Sequence, residues 1–277
     1  MQRMSTNIQA KGFTIVELVI VITVSGLLLG MLVGPLTDLY YANTTSLNTI
    51  LVTADAKTAL RTVANDVTIA DNFYSQNTVS DPASAKGDAS TTQWTTAAGY
   101  DYSGYNGAGQ VNNRVLILGE YATTKTEAQD TYVNIAGGGS PPTRQVYLKT
   151  GCTTPIENNI IYYVKNSTLY RRTIPDNTTA KCTAMSSTYS IAQKQSCPTG
   201  LNNALCKSND AIIATSVDQF SIDYYLHPYD TSPMTYGSDP TTATSVYITL
   251  KVHTGTGSQL ITSTSNLLMT RINGANT

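Results

Sequence analysis

A single carboxylate stands inside an apolar run: from Phe13 to Leu36 the only formally charged side chain is that of Glu17. A carboxylate in hydrocarbon costs on the order of 3 kcal/mol, so such a residue needs a partner. No basic residue follows it before Lys57. The nearest cations are Lys11 and, if the chain is cut after Gly12, the new α-amino group of Phe13. That amine can pair with the Glu17 carboxylate of a neighbouring copy and neutralise both charges inside a helical bundle. If that cut occurs, the chemistry here is charge pairing between copies.

The second reactive group is thiol. Cys152, Cys182, Cys197 and Cys206 make an even count, which favours two disulfides and leaves three connectivities open. Sequential pairing, Cys152–Cys182 and Cys197–Cys206, closes the shortest loops, and each bridge is worth about 2–4 kcal/mol. Zinc is the rival, but there is no C-x-x-C, and the two histidines, His227 and His253, lie far downstream. No H-E-x-x-H, G-x-S-x-G or G-x-x-x-x-G-K-[ST] occurs, so no enzyme, metal or cofactor is expected. Asp101, Asp223 and Asp230 lack the spacing of a calcium loop.

The element that positions Glu17 is a helix. The 24 residues from Phe13 to Leu36 reach roughly 36 Å at about 1.5 Å each, enough to cross a bilayer core. Arg3 and Lys11 precede this span, Asp38 follows it, and no Lys or Arg appears until Lys57. By the positive-inside rule the body lies outside the cytoplasm, where its thiols can oxidise. A removed signal peptide is the competing reading. The run is too long for one, and no small-x-small cleavage pattern follows it. Within the span Gly26, Gly30 and Gly34 fall four apart and Pro35 follows at once. Small residues at that spacing let helices approach closely, whereas glycine weakens and proline kinks or breaks the helix.

Beyond Pro35 apolar residues recur at helical spacing through Leu47, Ile50, Leu51, Leu60, Val63, Val67 and Ala70, and the helix is expected to continue to about Phe73. Asp55, Arg61, Asp66 and Asp71 fall on or near its solvated side. Residues 75–113 read as a long loop. Strand signals follow at 114–118, 145–148, 211–216, 219–226, 245–252 and 266–272. The strongest is a hairpin, Asn159–Val164 and Thr168–Thr173, turning at Lys165-Asn166-Ser167. One N-terminal helix before a run of strands predicts an α+β fold, with a leader over 1–12, a membrane segment over 13–36, an amphipathic helix over 37–74 and a β-rich head over 75–277.

The Lys11-Gly12-Phe13-Thr14 junction, the acid at the fifth position after the cut and the unbroken apolar run resemble the type IV pilin and pseudopilin family. That resemblance implies that prepilin peptidase cuts after Gly12 and methylates the amine of Phe13. It implies a single-pass membrane protein extracted by an inner-membrane assembly platform and its ATPase into an extracellular filament of pilin subunits. The helix near Pro35 would lose helicity on packing and stay helical in the unassembled chain. The hairpin ending Leu169-Tyr170-Arg171-Arg172, then Val217-x-x-Phe220 and Val246–Leu250, resembles the larger minor pilins and the J-type pseudopilins. A membrane-anchored adhesin that never polymerises is the alternative.

Charge is unevenly spread. Arg144 to Lys207 holds eight basic residues against Glu157 and Asp176, and Ser208 to Leu250 holds five aspartates and no cation. These sectors either meet head to tail between copies or are separate solvated faces. The basic sector and the Gly99–Gly107 tyrosine loop are the places where DNA or a surface ligand would bind.

Overall fold

A computed structural model describes residues 14–79, 81, 94, 115–121, 131–135, 144–148, 157–175, 196–199, 206, 208–234, 239–255 and 260–271. The chain divides into two units, Met1–Asn48 and Thr49–Thr277. Helix α1 spans Ile15–Ile69. In the first unit no residue of α1 is buried: Ile15 to Leu36 is apolar nearly all round, and Thr37 to Asn48 mixes polar and apolar residues.

From Val52 onward α1 has one buried stripe: Val52, Ala56, Ala59, Leu60, Val63 and Val67. The steps of three and four residues put these on one face. Leu47, Ile50 and Leu51, which the apolar spacing would also bury, are instead 52, 61 and 61% exposed. The stripe that packs on the head is thus shorter than the apolar pattern.

The helix stops at Ile69, before the expected Phe73, because the next residues join a sheet. The amide of Asp71 donates to the Gly119 carbonyl at 2.8 Å, and β1 (Asn72–Phe73) pairs antiparallel with β2 (Leu116–Tyr121). The first sheet continues with β5 (Glu157–Lys165), β6 (Thr168–Ile174) and β9 (Ala211–Thr215), in the order β1-β2-β5-β6-β9. A second sheet is an antiparallel meander of β10 (Val217–Tyr225), β11 (Ser245–Thr254) and β12 (Ile261–Thr270). Two small pairs complete the described strands: β3 (Thr131–Ile135) with β4 (Arg144–Leu148), and β7 (Ser196–Cys197) with β8 (Ser208–Asn209). One helix against antiparallel sheets is the α+β class that the order of elements predicts.

The expected hairpin is β5–β6, with a two-residue turn at Asn166 and Ser167, φ 48° and 55°. Two positive φ values give the mirror-image turn whose twist matches the strands. Strand β5 is buried along its whole interior because both faces of the first sheet are covered. Leu116, Leu118, Ile160, Tyr162 and Val164 share one core with α1 and the second sheet. On the opposite face Ile117, Ile161, Tyr163 and Ile174 pack with Trp94 and Val79. Burial of each large apolar side chain contributes about 1.5–3 kcal/mol.

Polar groups fix how α1 sits on this sheet. Asp66 is not on the solvated side: it accepts from the Tyr162 hydroxyl at 2.6 Å and from Arg171 Nε at 2.5 Å. At the other end Arg271 donates to the Asp71 carbonyl and to Asn72 Oδ1, so the last described strand clamps the end of the helix. Between them, Gly119 leaves room for a side-chain pair crossing the β1–β2 edge, where Tyr74 donates to Glu157 Oε1 at 2.5 Å.

A Cβ on Gly119 would lie 2.0 Å from Glu157 Oε1 and 2.5 Å from Tyr74 Cε2. Gly119→Ala is therefore expected to destabilise the head by about 1–3 kcal/mol in urea denaturation, the usual penalty of overpacking. The same contacts set an alkaline limit. Burial, and next the Asp66 carboxylate, raises the Tyr162 pKa far above its ordinary 10.0, and burial with Glu157 does the same to Tyr74. Both tyrosines stay protonated in the fold and ionise near pH 10 when unfolded. Their stabilisation is present below that pH and is lost as pH rises above it. Stability should fall from about pH 10 upward by up to about 1.4 kcal/mol per pH unit for the buried Tyr162, and by less for the half-buried Tyr74, which solvent screens; Tyr162→Phe should remove its share of the slope.

Candidate processing and assembly segment

Thr14 and Glu17 are spaced as a helix-start pair. The Thr14 amide and hydroxyl both lie 3.2 Å from Glu17 Oε2, and the Glu17 amide donates to Thr14 Oγ1 at 3.3 Å. This is a capping box: each side chain satisfies a backbone N–H that the first turn leaves unpaired. The acid thus folds back toward the start of its own helix, where the dipole also favours negative charge. The T-x-x-E spacing carries this second role in plain sight, and the charge argument alone passes over it. Lys11, Gly12 and Phe13 lie outside the described residues.

The rest of the segment offers apolar surface and little else. An 18-residue stretch of α1 has a mean hydropathy of 2.5 with none of it buried, and by length and composition the helix can cross a membrane. Ile15, Leu29 and Met31 are 83, 63 and 72% exposed. A Cβ added at Gly26, Gly30 or Gly34 would meet nothing within 4 Å. These glycines form an open strip on the helix, so nothing among the described residues requires their small size.

Helix α1 is unbroken through Pro35. Proline has no N–H, so the Met31 carbonyl loses its usual donor. Side chains bond back to the backbone on either side: Thr37 Oγ1 donates to the Gly34 carbonyl at 2.7 Å, and Thr23 Oγ1 to that of Val19 at 2.7 Å. Such back-bonding slightly loosens helices. The α-helix at this point rests on fewer backbone bonds than elsewhere.

In the head, Cys197 and Cys206 form a disulfide, one of the two pairs expected. Cys152 and Cys182 lie outside the described residues. The bridge closes a short loop beside β7 and β8, and the amide of Asp210, just after β8, donates to the Cys197 carbonyl at 2.7 Å. That places Asp210 on Arg172, whose Nη2 lies 2.6 Å from Asp210 Oδ2 and whose Nη1 lies 2.8 Å from Asp81 Oδ2. Arg172 is fully buried, and its guanidinium sits 5.2 Å from the centre of the Trp94 ring. The carboxylates around it, together with Tyr163, outweigh burial and raise its pKa. Trp94 Nε1 and Ser196 Oγ donate to the same two carboxylates, so the buried charges are hydrogen-bonded as they must be.

This network corrects the picture of a basic sector. Arg171 and Arg172 are paired inside the molecule with Asp66 and with Asp81 and Asp210. Asp210 comes from the acidic sector, so part of the charge asymmetry cancels within the fold. His253 Nδ1 lies 2.7 Å from Asp218 Oδ1, and the exposed His227 lies 3.6 Å from Asp230. Among the described residues no three His, Cys, Asp or Glu side chains gather to hold a metal. Asp101 and the Gly99–Gly107 loop lie outside the described residues.

No curated protein and no solved structure matches the chain. Residues 9–33 match the family model described as the prokaryotic N-terminal methylation motif. This range runs from just before Lys11, across Gly12 and Glu17, into the exposed apolar helix. The chain therefore carries at its N-terminal segment the processing signal of a type IV prepilin-like precursor.

Proposed function

We propose that the chain is a structural subunit, a minor pilin or pseudopilin, of a type IV pilus-like filament. One observation carries this reading: the methylation motif of residues 9–33 runs without a break into an apolar helix with no buried residue before Val52. Such a surface needs hydrocarbon around it first and like helices afterwards.

Prepilin peptidase cuts between Gly12 and Phe13, with Lys11 in the leader that is removed, and methylates the new amine. Glu17 then exchanges its contacts with Thr14 for the Phe13 amine of an adjacent subunit. The exchange is cheap because the capping contacts are exposed and 3.2–3.3 Å long. The strip of Gly26, Gly30 and Gly34 admits a neighbouring helix closely, and the stretch at Pro35 is where helicity yields as the subunit packs. An inner-membrane platform and its ATPase supply the work of extraction, other pilin subunits are the partners, and the disulfide-stapled head faces outward. The chain performs no catalysis of its own. With Arg171 and Arg172 paired internally, the basic sector gives less support to DNA binding than its composition suggests.

The anchored-adhesin alternative needs the same span but no partner for Glu17. Glu17→Ala separates the two. In the filament reading the variant is still cut after Gly12, while its incorporation into sheared surface filaments falls about 100-fold, the equivalent of roughly 3 kcal/mol for one unpaired charge in hydrocarbon. Unchanged surface display and unchanged fractionation of Glu17→Ala would favour the adhesin.

A further inference from the structure

We propose that the head carries a second, membrane-independent contact with another copy of this chain: the Tyr229–Asp230 knob of one copy seats in the cleft between α1 and β12 of the next. The cleft is lined with two cations that pair with no described residue. Lys57 and Arg61 stand one turn apart on the exposed side of α1, where like charges at that spacing destabilise a helix by a few tenths of a kcal/mol. Neither makes an ion pair or hydrogen bond with a described residue. Lys57 borders two adjoining hollows of about 510 and 320 Å³, and Arg61 lines the first of them. The far wall is β12, an edge strand, whose Leu267 lines both hollows and is 38% exposed. The cleft therefore asks for an anion beside an apolar group.

The knob offers that pair. Tyr229 is 92% exposed, the most exposed large apolar side chain of the described residues, and Asp230 follows it. The turn is ordered by two bonds: the His227 amide donates to Asp230 Oδ2 at 2.8 Å, and the Asp230 amide to the His227 carbonyl at 3.1 Å. Asp230 remains exposed, so its carboxylate can reach a cation outside the chain. Tyrosine and arginine are also the residue types that carry most binding energy at protein interfaces, and an aromatic face attracts a guanidinium.

The knob cannot fill its own cleft. It springs from the end of β10, where Thr244 bridges Tyr225 and Arg271 and Arg271 grips Asp71 and Asn72 beyond the end of α1. The cleft lies at Lys57, roughly 20 Å back along the helix. Two copies displaced along the helix axis by about that distance bring knob and cleft together. Knob and cleft are different surfaces, so the contact is heterologous and can repeat without closing. It relies on the filament reading for its repetition and not for its formation.

The test uses two differently tagged full-length chains co-expressed in membranes, one with His227→Cys beside the knob and one with Asn266→Cys on the cleft wall. These substitutions leave Tyr229, Asp230, Lys57, Arg61 and Leu267 intact. Under mild oxidation the mixed dimer should exceed either same-site dimer by about tenfold. Adding Lys57→Glu and Arg61→Glu to the cleft chain should abolish the excess, and Asp230→Lys in the knob chain should restore it. Equal yields of mixed and same-site dimers would overturn the contact. Loss without restoration would overturn it in favour of a different anion, such as a lipid headgroup. If the mixed dimer forms while the unmodified chain never enters filaments, the contact stands and the filament reading falls.

Discussion

Helix α1 changes character at Val52, and most of the structure follows from that division. Before Val52 no side chain of α1 is buried, and from Ile15 to Leu36 Glu17 is the one formal charge. After Val52 its alanines and valines are the floor of the head's core. From Val19 to Leu36 the helix is apolar on nearly every side, which suits a helix surrounded by hydrocarbon. The second half has a single stripe because only one side meets protein. The boundary falls after Leu51, where large exposed apolar residues give way to Ala56 and Ala59, small enough for strands to approach.

The head answers the need to hold that second half in place. The first sheet is covered on both faces, by α1 on one side and by Trp94 and its neighbours on the other. The consecutive arginines of β6 then necessarily point in opposite directions. Arg171 faces the helix and meets Asp66, while Arg172 faces the opposite layer and meets Asp81 and Asp210. The Cys197–Cys206 bridge sits where it positions Asp210 for the second of these. Loss of one partner of such a buried pair is far more costly than the net value of the pair, so the disulfide and the buried arginine act together in fixing the outer layer of the sheet.

The sequence exposes these features unequally. The spanning helix and the acid within it are legible because hydrophobicity and charge there are extreme. The β5–β6 hairpin is legible because β-branched and aromatic residues flank a short polar turn. Strands β1, β7 and β8 are two residues each, too short for any period to register. The destination of Arg172 is hidden for a different reason: Asp81 and Asp210 lie 91 and 38 residues away, and no local pattern links them. Asp66 reads as solvated because helical spacing reports which side a residue is on, not that Tyr162 and Arg171 wait beside it. The capping role of Glu17 lies in the T-x-x-E spacing itself, overshadowed by the question of why an acid lies in the span at all.

The central claim is that the motif at residues 9–33 is used as a processing signal, and the most direct measurement is the intact mass and N-terminal residue of the protein recovered from its native membrane. Processing at the motif gives a chain beginning at Phe13 and one methyl group heavier than its sequence. A chain that keeps Met1 to Gly12 in cells with an active prepilin peptidase would contradict it.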